Sequence, residues 1–222
     1  DGITNIGGAI FLFMFLKPTV STGKTEIKKE EVPVAQSAYK DKTYLFFIVL
    51  VMLFAFCFFQ LFTTVPKYFR DNLHLSERFI GFIMDFNGLI IVAIEMVLIY
   101  ILEQKNRNMF FIRFGLIMCA MAFFSLLLPG NAKVITLIMI LFITLGEITS
   151  MPFMKSFWIK RSNEKNRWQY AALYTIAWGI GQTLGPYFCS KLVEATNFPV
   201  MFITLGTVLV LTAFGFYRLK SN

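Results

Sequence analysis

At 222 residues the chain could bury a sizeable core, but 57% of it is hydrophobic and its mean hydropathy is +0.65, against roughly 45–50% apolar residues in an ordinary soluble domain. The formal charge of +8 invites a nucleic-acid reading, and the placement of the charges argues against it, because they gather in alternate loops between long apolar runs. Composition points to an integral membrane protein, with 27 Phe residues suited to lipid-facing and helix-packing surfaces.

The first apolar stretch, Ile3–Leu16, has 14 residues, fewer than the ~20 that a helix needs to cross a bilayer. It starts close behind Asp1 with no basic segment of a signal peptide. Residues 1–16 therefore read as the cytoplasmic end of a transmembrane helix cut in the middle, and the chain is expected to be a fragment of something larger. Residues 17–43 mix lysines with Glu26, Glu30, Glu31 and Asp41 around Pro33. They read as a solvated cytoplasmic linker, with one short surface helix around Thr25–Val32.

Six long apolar stretches follow, at about 44–66, 79–102, 109–128, 134–156, 168–193 and 198–217. Each is near or above the length of a membrane span, and the short loops between them imply a compact antiparallel bundle. The expected fold is all-α: a six-transmembrane-helix bundle over 44–218, a partial N-terminal helix, and a cytoplasmic tail at 219–222. Sixteen basic residues fall in the linker, the loops after the second and fourth spans and the C-terminus, against five on the other side. The positive-inside rule places the richer side, and the C-terminus, in the cytoplasm. Trp158, Trp168, Tyr44 and Tyr217 near one set of ends, and Tyr68 and Tyr187 near the other, suit an interfacial aromatic belt.

Cys57, Cys119 and Cys189 lie inside spans without metal-ligand spacing. No P-loop, GxSxG, HExxH or dinucleotide fingerprint occurs. No cofactor or metal is expected, and no enzymatic activity. The third and sixth spans carry little polarity and are expected to face lipid over much of their surface. The first, second, fourth and fifth carry Gln60 and Thr63; Asp85, Asn87 and Glu95; Thr144, Glu147 and Ser150; and Tyr174, Thr175, Trp178 and Gln182. Two sets of three spans, each ending in a bland helix, resemble a three-plus-three repeat.

With the strings Gln60–Phe69 (QLFTTVPKYF), Asn87–Glu103 (NGLIIVAIEMVLIYILE), Gly146–Phe153 (GEITSMPF) and Trp178–Pro186 (WGIGQTLGP), the chain resembles the C-terminal half of a major facilitator superfamily transporter. The resemblance implies that the full spans are the seventh to twelfth helices of twelve. It implies a cavity lined by the seventh, eighth, tenth and eleventh, which are the polar spans here. It also implies a partner, an N-terminal six-helix half. Gly181, Gly185 and Pro186 resemble the core of the antiporter motif of drug-efflux members, in the pseudo-equivalent helix, with Phe188 and Cys189 in place of the trailing glycines.

Glu95 is flanked by apolar residues deep in its span, where a charge costs at least about 2.5–3.5 kcal/mol. It reads either as a structural hydrogen-bonder or as a protonatable or substrate-binding carboxylate. Gly81, Asp85, Gly88, Val92 and Glu95 fall within an arc of about 80°, so Gly81 and Gly88 read as gaps for a close neighbour. Glu147 sits near the middle of the fourth span, sharing a face with Thr144, Ser150 and Met151. Burial favours the neutral, proton-carrying form of a carboxyl, which makes Glu147 the leading proton-coupling candidate, with Glu95 next and Asp85 third. Gln60, Asn87, Tyr174, Trp178 and Gln182 are the candidates for lining a substrate cavity. Gly181, Gly185 and Pro186 read first as packing residues.

The expected function is secondary active transport of a small organic solute by alternating access, as proton-coupled efflux (antiport), in a bacterial inner membrane. Acids in an aromatic, Met-containing cavity suit hydrophobic or cationic solutes. The alternatives are a proton-coupled symporter for a sugar, peptide or other organic solute and, more remotely, a non-transporting scaffold or intramembrane enzyme. The implied partners are substrate, protons, lipid and the N-terminal half.

Overall fold

The computed structural model describes residues 37–103 and 108–219. The expectations for the partial helix, most of the linker and the last three residues lie outside them. A 3-10 turn at Ala38–Lys40 leads into α1 (Lys42–Phe58), a second 3-10 turn at Phe59–Phe62, α2 (Thr64–Asp71), α3 (Glu77–Glu103), α4 (Asn108–Ser125), α5 (Ala132–Arg161), α6 (Arg167–Ala195) and α7 (Phe198–Tyr217). The architecture is all-helical among the described residues. Side-chain oxygens start three of the helices: Asp41 accepts from the Tyr44 N–H, Asn131 from Lys133 and Asn197 from Val200. Gly130 stands at φ +151 in the tight turn between α4 and α5, a region that a side chain would strain.

The first predicted span is not one continuous helix. Pro66 has no N–H to give and its ring would crowd the carbonyl of Phe62, so the chain tightens into the 3-10 turn, passes Thr63 at φ −122, ψ −73, and restarts as α2. Pro66 then occupies the first turn of α2, where a missing donor is tolerated. Together Lys42–Asp71, with Glu77–Met96, α4, α5 and α7, make five elements long and apolar enough to cross a membrane. The fifth predicted span, α6, has 29 residues but does not reach that hydropathy. Gln169, Tyr170, Tyr174, Thr175, Gln182 and Thr183 make it a helix of mixed polarity rather than an apolar one.

α4 packs against α5 and α7, α1 against α6 and α7, and α3 mainly against α5. Small residues permit two close approaches. A Cβ on Gly115 of α4 would stand 2.6 Å from the Gly146 carbonyl oxygen, and one on Gly146 would collide with Cys119 Sγ. A Cβ on Gly181 would stand 2.6 Å from Ala55 Cβ, and one on Gly185 2.7 Å from the Phe56 carbonyl oxygen.

The expectation for the bland spans is corrected here. α4 is 56% buried over its apolar window and α3 only 17%, so the third span is a core element and the second the most exposed. Ile112, Leu116, Cys119 and Phe123 of α4 are core residues, whereas Phe82, Leu89, Val92 and Met96 of α3 are exposed. A bland helix suits a protein core as well as lipid, since both accept Leu and Phe equally.

Candidate functional site

α5 is held in rotation by its contact with α4. Gly146 and Ser150, one turn apart, lie against Gly115 and Cys119. The adjoining face of α5, with Thr144 and Glu147, then turns toward α3. There the Thr144 hydroxyl hydrogen-bonds the Asn87 side-chain oxygen across 57 positions of sequence, and both residues are buried. The same hydroxyl lies 2.7 Å from the Ile140 carbonyl oxygen.

Glu147 follows Thr144 by one turn. Its Oε2 is buried without a hydrogen-bond partner among the described residues. Glu95 of α3 is near enough to act on its carboxyl through space. From the α4 side, Cys119 is the titratable neighbour. Glu95 itself is half-buried at the mouth of a cleft of about 420 Å³, shared with Pro152, Phe153, Lys155, Ser156 and Lys160 of α5. The seam between α3 and α5 thus brings together Glu147, Glu95 and Asn87 from the sequence candidates, and adds Thr144, bonded to Asn87.

The other candidates lie elsewhere. Asp85 is exposed on the outer side of α3, apart from the seam. A Cβ at Gly81 or Gly88 would meet nothing within 4 Å, so no described helix fills the gaps expected there. Gln60 is corrected more sharply. It is fully buried, its amide nitrogen donates to the Phe56 carbonyl at 2.9 Å, and its oxygen accepts from Thr64 Oγ1 at 2.7 Å. It satisfies the break between α1 and α2, and Gly185 leaves it the room; it lines no open cavity.

Gly181 and Gly185 seat α6 on α1, and α6 runs helically through Pro186. Tyr174 and Trp178 are half-buried in an aromatic cluster between α1, α5 and α6. The Trp178 ring centroid lies 5.9 Å from Phe54, 5.8 Å from Phe59 and 6.2 Å from Tyr174, and Tyr174 lies 6.0 Å from Trp158. Gln182 is exposed on α6. Among the described residues no group of three His, Cys, Asp or Glu side chains is placed to hold a metal ion.

A second polar cluster was not among the sequence candidates. Asp41, in the residue before α1, receives Arg161 Nε at 2.5 Å and Nη2 at 2.9 Å, and the Tyr170 hydroxyl at 2.9 Å. The Tyr44 hydroxyl donates to the Tyr170 carbonyl, and Gln169 Oε1 accepts from Ser37 Oγ and the Ala38 N–H. Burial opposes the charge on Asp41, but the Arg161 guanidinium, the Tyr44 N–H and the Tyr170 hydroxyl outweigh it and hold the carboxyl below the usual aspartate range. The cluster ties the start of α1, the end of α5 and the start of α6 at one end of the bundle. An acid capping a predicted helix was its only sequence signal.

The comparison with protein families matches residues 1–185 to the model described as the Major Facilitator Superfamily. The comparison with curated proteins found no match.

Proposed function

This chain belongs to the Major Facilitator Superfamily, and from that premise we propose that it is the C-terminal six-helix half of a secondary active transporter that exchanges protons for a small organic solute. The superfamily is one of transporters rather than enzymes, and solute transport by an integral membrane protein follows from membership. Alternating access moves this bundle against an N-terminal half around a site near the membrane midplane. The basic-residue asymmetry supports a cytoplasmic C-terminus, and the membrane of this reading is a bacterial plasma membrane.

One observation carries the proton-coupled reading: the buried, unpartnered Oε2 of Glu147 in the α3–α5 seam. A carboxylate oxygen with no donor in an apolar setting is stabilised by taking a proton. A cationic solute arriving beside Glu147 and Glu95 favours release of that proton, and so links the two fluxes in opposite directions. Asp85, nearer the outer end of α3, serves entry rather than coupling. Tyr174 and Trp178 offer ring faces to an organic cation, and Asn87 and Gln182 offer amides.

A second reading has its own support. The cleft that presents Glu95 also presents Lys155 and Lys160, a charge pattern that suits a solute bearing both signs, such as a peptide carried by symport. Flux in proteoliposomes containing the complete transporter tests the first reading. Glu147→Gln keeps the size and hydrogen bonding of the neutral acid. It is expected to insert normally and to lose accumulation driven by a pH gradient; full pH-driven flux in this variant would overturn the assignment.

A further inference from the structure

Asn87 of α3 meets Thr144 of α5 through a side-chain hydrogen bond. Eight residues further along each helix, α3 brings Glu95 and α5 brings Pro152 to the same cleft. The two helices therefore run in the same direction and in step. At 1.5 Å per residue, Glu95 stands about 12 Å along from the Asn87–Thr144 contact, Lys155 about 16 Å and Lys160 about 24 Å. The cleft thus has an order along its length. A carboxylate stands at the inner end, then Lys155 with Ser156 beside it, then Lys160 at the end that the basic-residue asymmetry assigns to the cytoplasm.

None of these three charges is matched inside the protein. Among the described residues Glu95, Lys155 and Lys160 enter no ion pair, whereas Arg161, next to Lys160, is held by Asp41. Glu95 and Ser156 are half-buried and both lysines are exposed. Pro152, Phe153 and Ile159 complete the lining with apolar surface. A volume of about 420 Å³ falls within the ~300–1,000 Å³ of small-molecule sites.

We propose that this cleft takes a linear solute with an ammonium at one end and a carboxylate or phosphate at the other, loaded ammonium first. The ammonium binds Glu95, and the anionic end binds Lys155 and Lys160 through charge-assisted hydrogen bonds. This rests on the reading that the solute's cationic group sits beside Glu95, and adds to it the second charge, its spacing and its direction. From Glu95 the lysines are offset along the helix axes by about 5 Å and 12 Å. That spacing suits a chain of several carbons rather than an α-amino acid, whose two charged groups share one carbon. A phospholipid headgroup is the wrong way round. It carries its ammonium outside its phosphate, whereas here the acid lies deeper than the lysines.

The test is binding to the complete transporter in detergent at fixed pH, read as stabilisation against thermal unfolding. The probes are 6-aminohexanoate, hexylamine, which has the cation alone, and 2-aminohexanoate, an isomer with both charged groups on one carbon. The expected result is that 6-aminohexanoate binds about tenfold or more tighter than either of the others. Lys155→Gln with Lys160→Gln is expected to bring it to the level of hexylamine, and Lys155→Arg with Lys160→Arg to keep the preference. Glu95→Gln is expected to weaken 6-aminohexanoate and hexylamine alike. Equal, Glu95-dependent binding of these two overturns the two-charge solute and leaves the cation beside Glu95 standing. Equal binding of the two isomers overturns the extended solute. Stabilisation by phosphatidylethanolamine in the micelle, lost in the paired lysine-to-glutamine variant, with none by 6-aminohexanoate, gives the cleft to a lipid and overturns the proposal. No Glu95-dependent binding of any probe overturns the solute and the cation site together. The proton carrier is judged separately, by flux through Glu147→Gln.

Discussion

Asp41 and Arg161, 120 positions apart in the sequence, meet through two charge-assisted hydrogen bonds at 2.5 and 2.9 Å, with the Asp41 side chain 7% exposed and the Arg161 side chain 27%. The paired geometry is the strong form of an ion pair. Because Asp41 is buried and also caps α1, removing either partner strands the other, whereas loss of an exposed pair such as Arg70–Asp71 strands nothing.

Asp41→Asn is therefore expected to lower stability by about 2 kcal/mol, the scale of a hydrogen bond to a charged group, measured as thermal unfolding in detergent. The pH dependence has a definite sign. The folded Asp41 carboxyl sits below its ordinary value of 3.8, so its contribution is fully present above that value and is lost as pH falls through the folded one. The gap between the native protein and Asp41→Asn is expected to be constant near neutrality and to close only in strong acid. A gap that widens on acidification contradicts the pairing.

Glycines divide into two classes by what surrounds them. A methyl at Gly146 runs into Cys119, and one at Gly181 meets Ala55 and the backbone of Phe56. Gly146→Ala and Gly181→Ala are each expected to cost about 1–3 kcal/mol by overpacking. Gly81→Ala and Gly88→Ala meet open space among the described residues and, by removing glycine from a helix, are expected to be neutral or slightly stabilising for the bundle. Their effect on transport is the readout of a further neighbour: loss of flux with unchanged stability identifies one supplied from outside the described residues.

The orientation inferred from basic residues makes a separate prediction. Single cysteines placed at exposed Glu164 and Lys165, in the turn between α5 and α6, are expected to react with a membrane-impermeant thiol reagent only from the cytoplasmic side. Reaction from outside intact cells reverses the topology.

How much was legible beforehand varies with how local the signal is. The long helices were readable from run length, because a span is a contiguous property. The break at Phe59–Phe62 was available in Pro66, since the loss of one donor is also local. Long-range pairing was not. Asn87 and Thr144 were each visible as polar residues in apolar spans, but no periodicity says that they meet. Asp41 read as one more charge in a solvated linker, and Arg161 as one more positive-inside residue. Gln60 misled for a physical reason: a polar side chain in a span need not seek a cavity when carbonyls and hydroxyls one turn away can satisfy it.

Gln60 and Gln182 therefore make a paired test, because both are glutamines in helices that pack together and only one is exposed. Gln60→Leu leaves the Thr64 hydroxyl without its acceptor and removes the amide from the α1–α2 break. It is expected to destabilise by about 1–3 kcal/mol, the penalty of a buried polar group left unpaired, with the KM for solute unchanged in the fraction that folds. Gln182→Leu removes an exposed amide with no buried partner and is expected to leave stability within about 0.5 kcal/mol. If α6 lines the transport path, that variant raises KM instead. Thermal unfolding and flux kinetics on the two variants separate the roles. A KM effect at Gln60 without loss of stability would return it to the cavity.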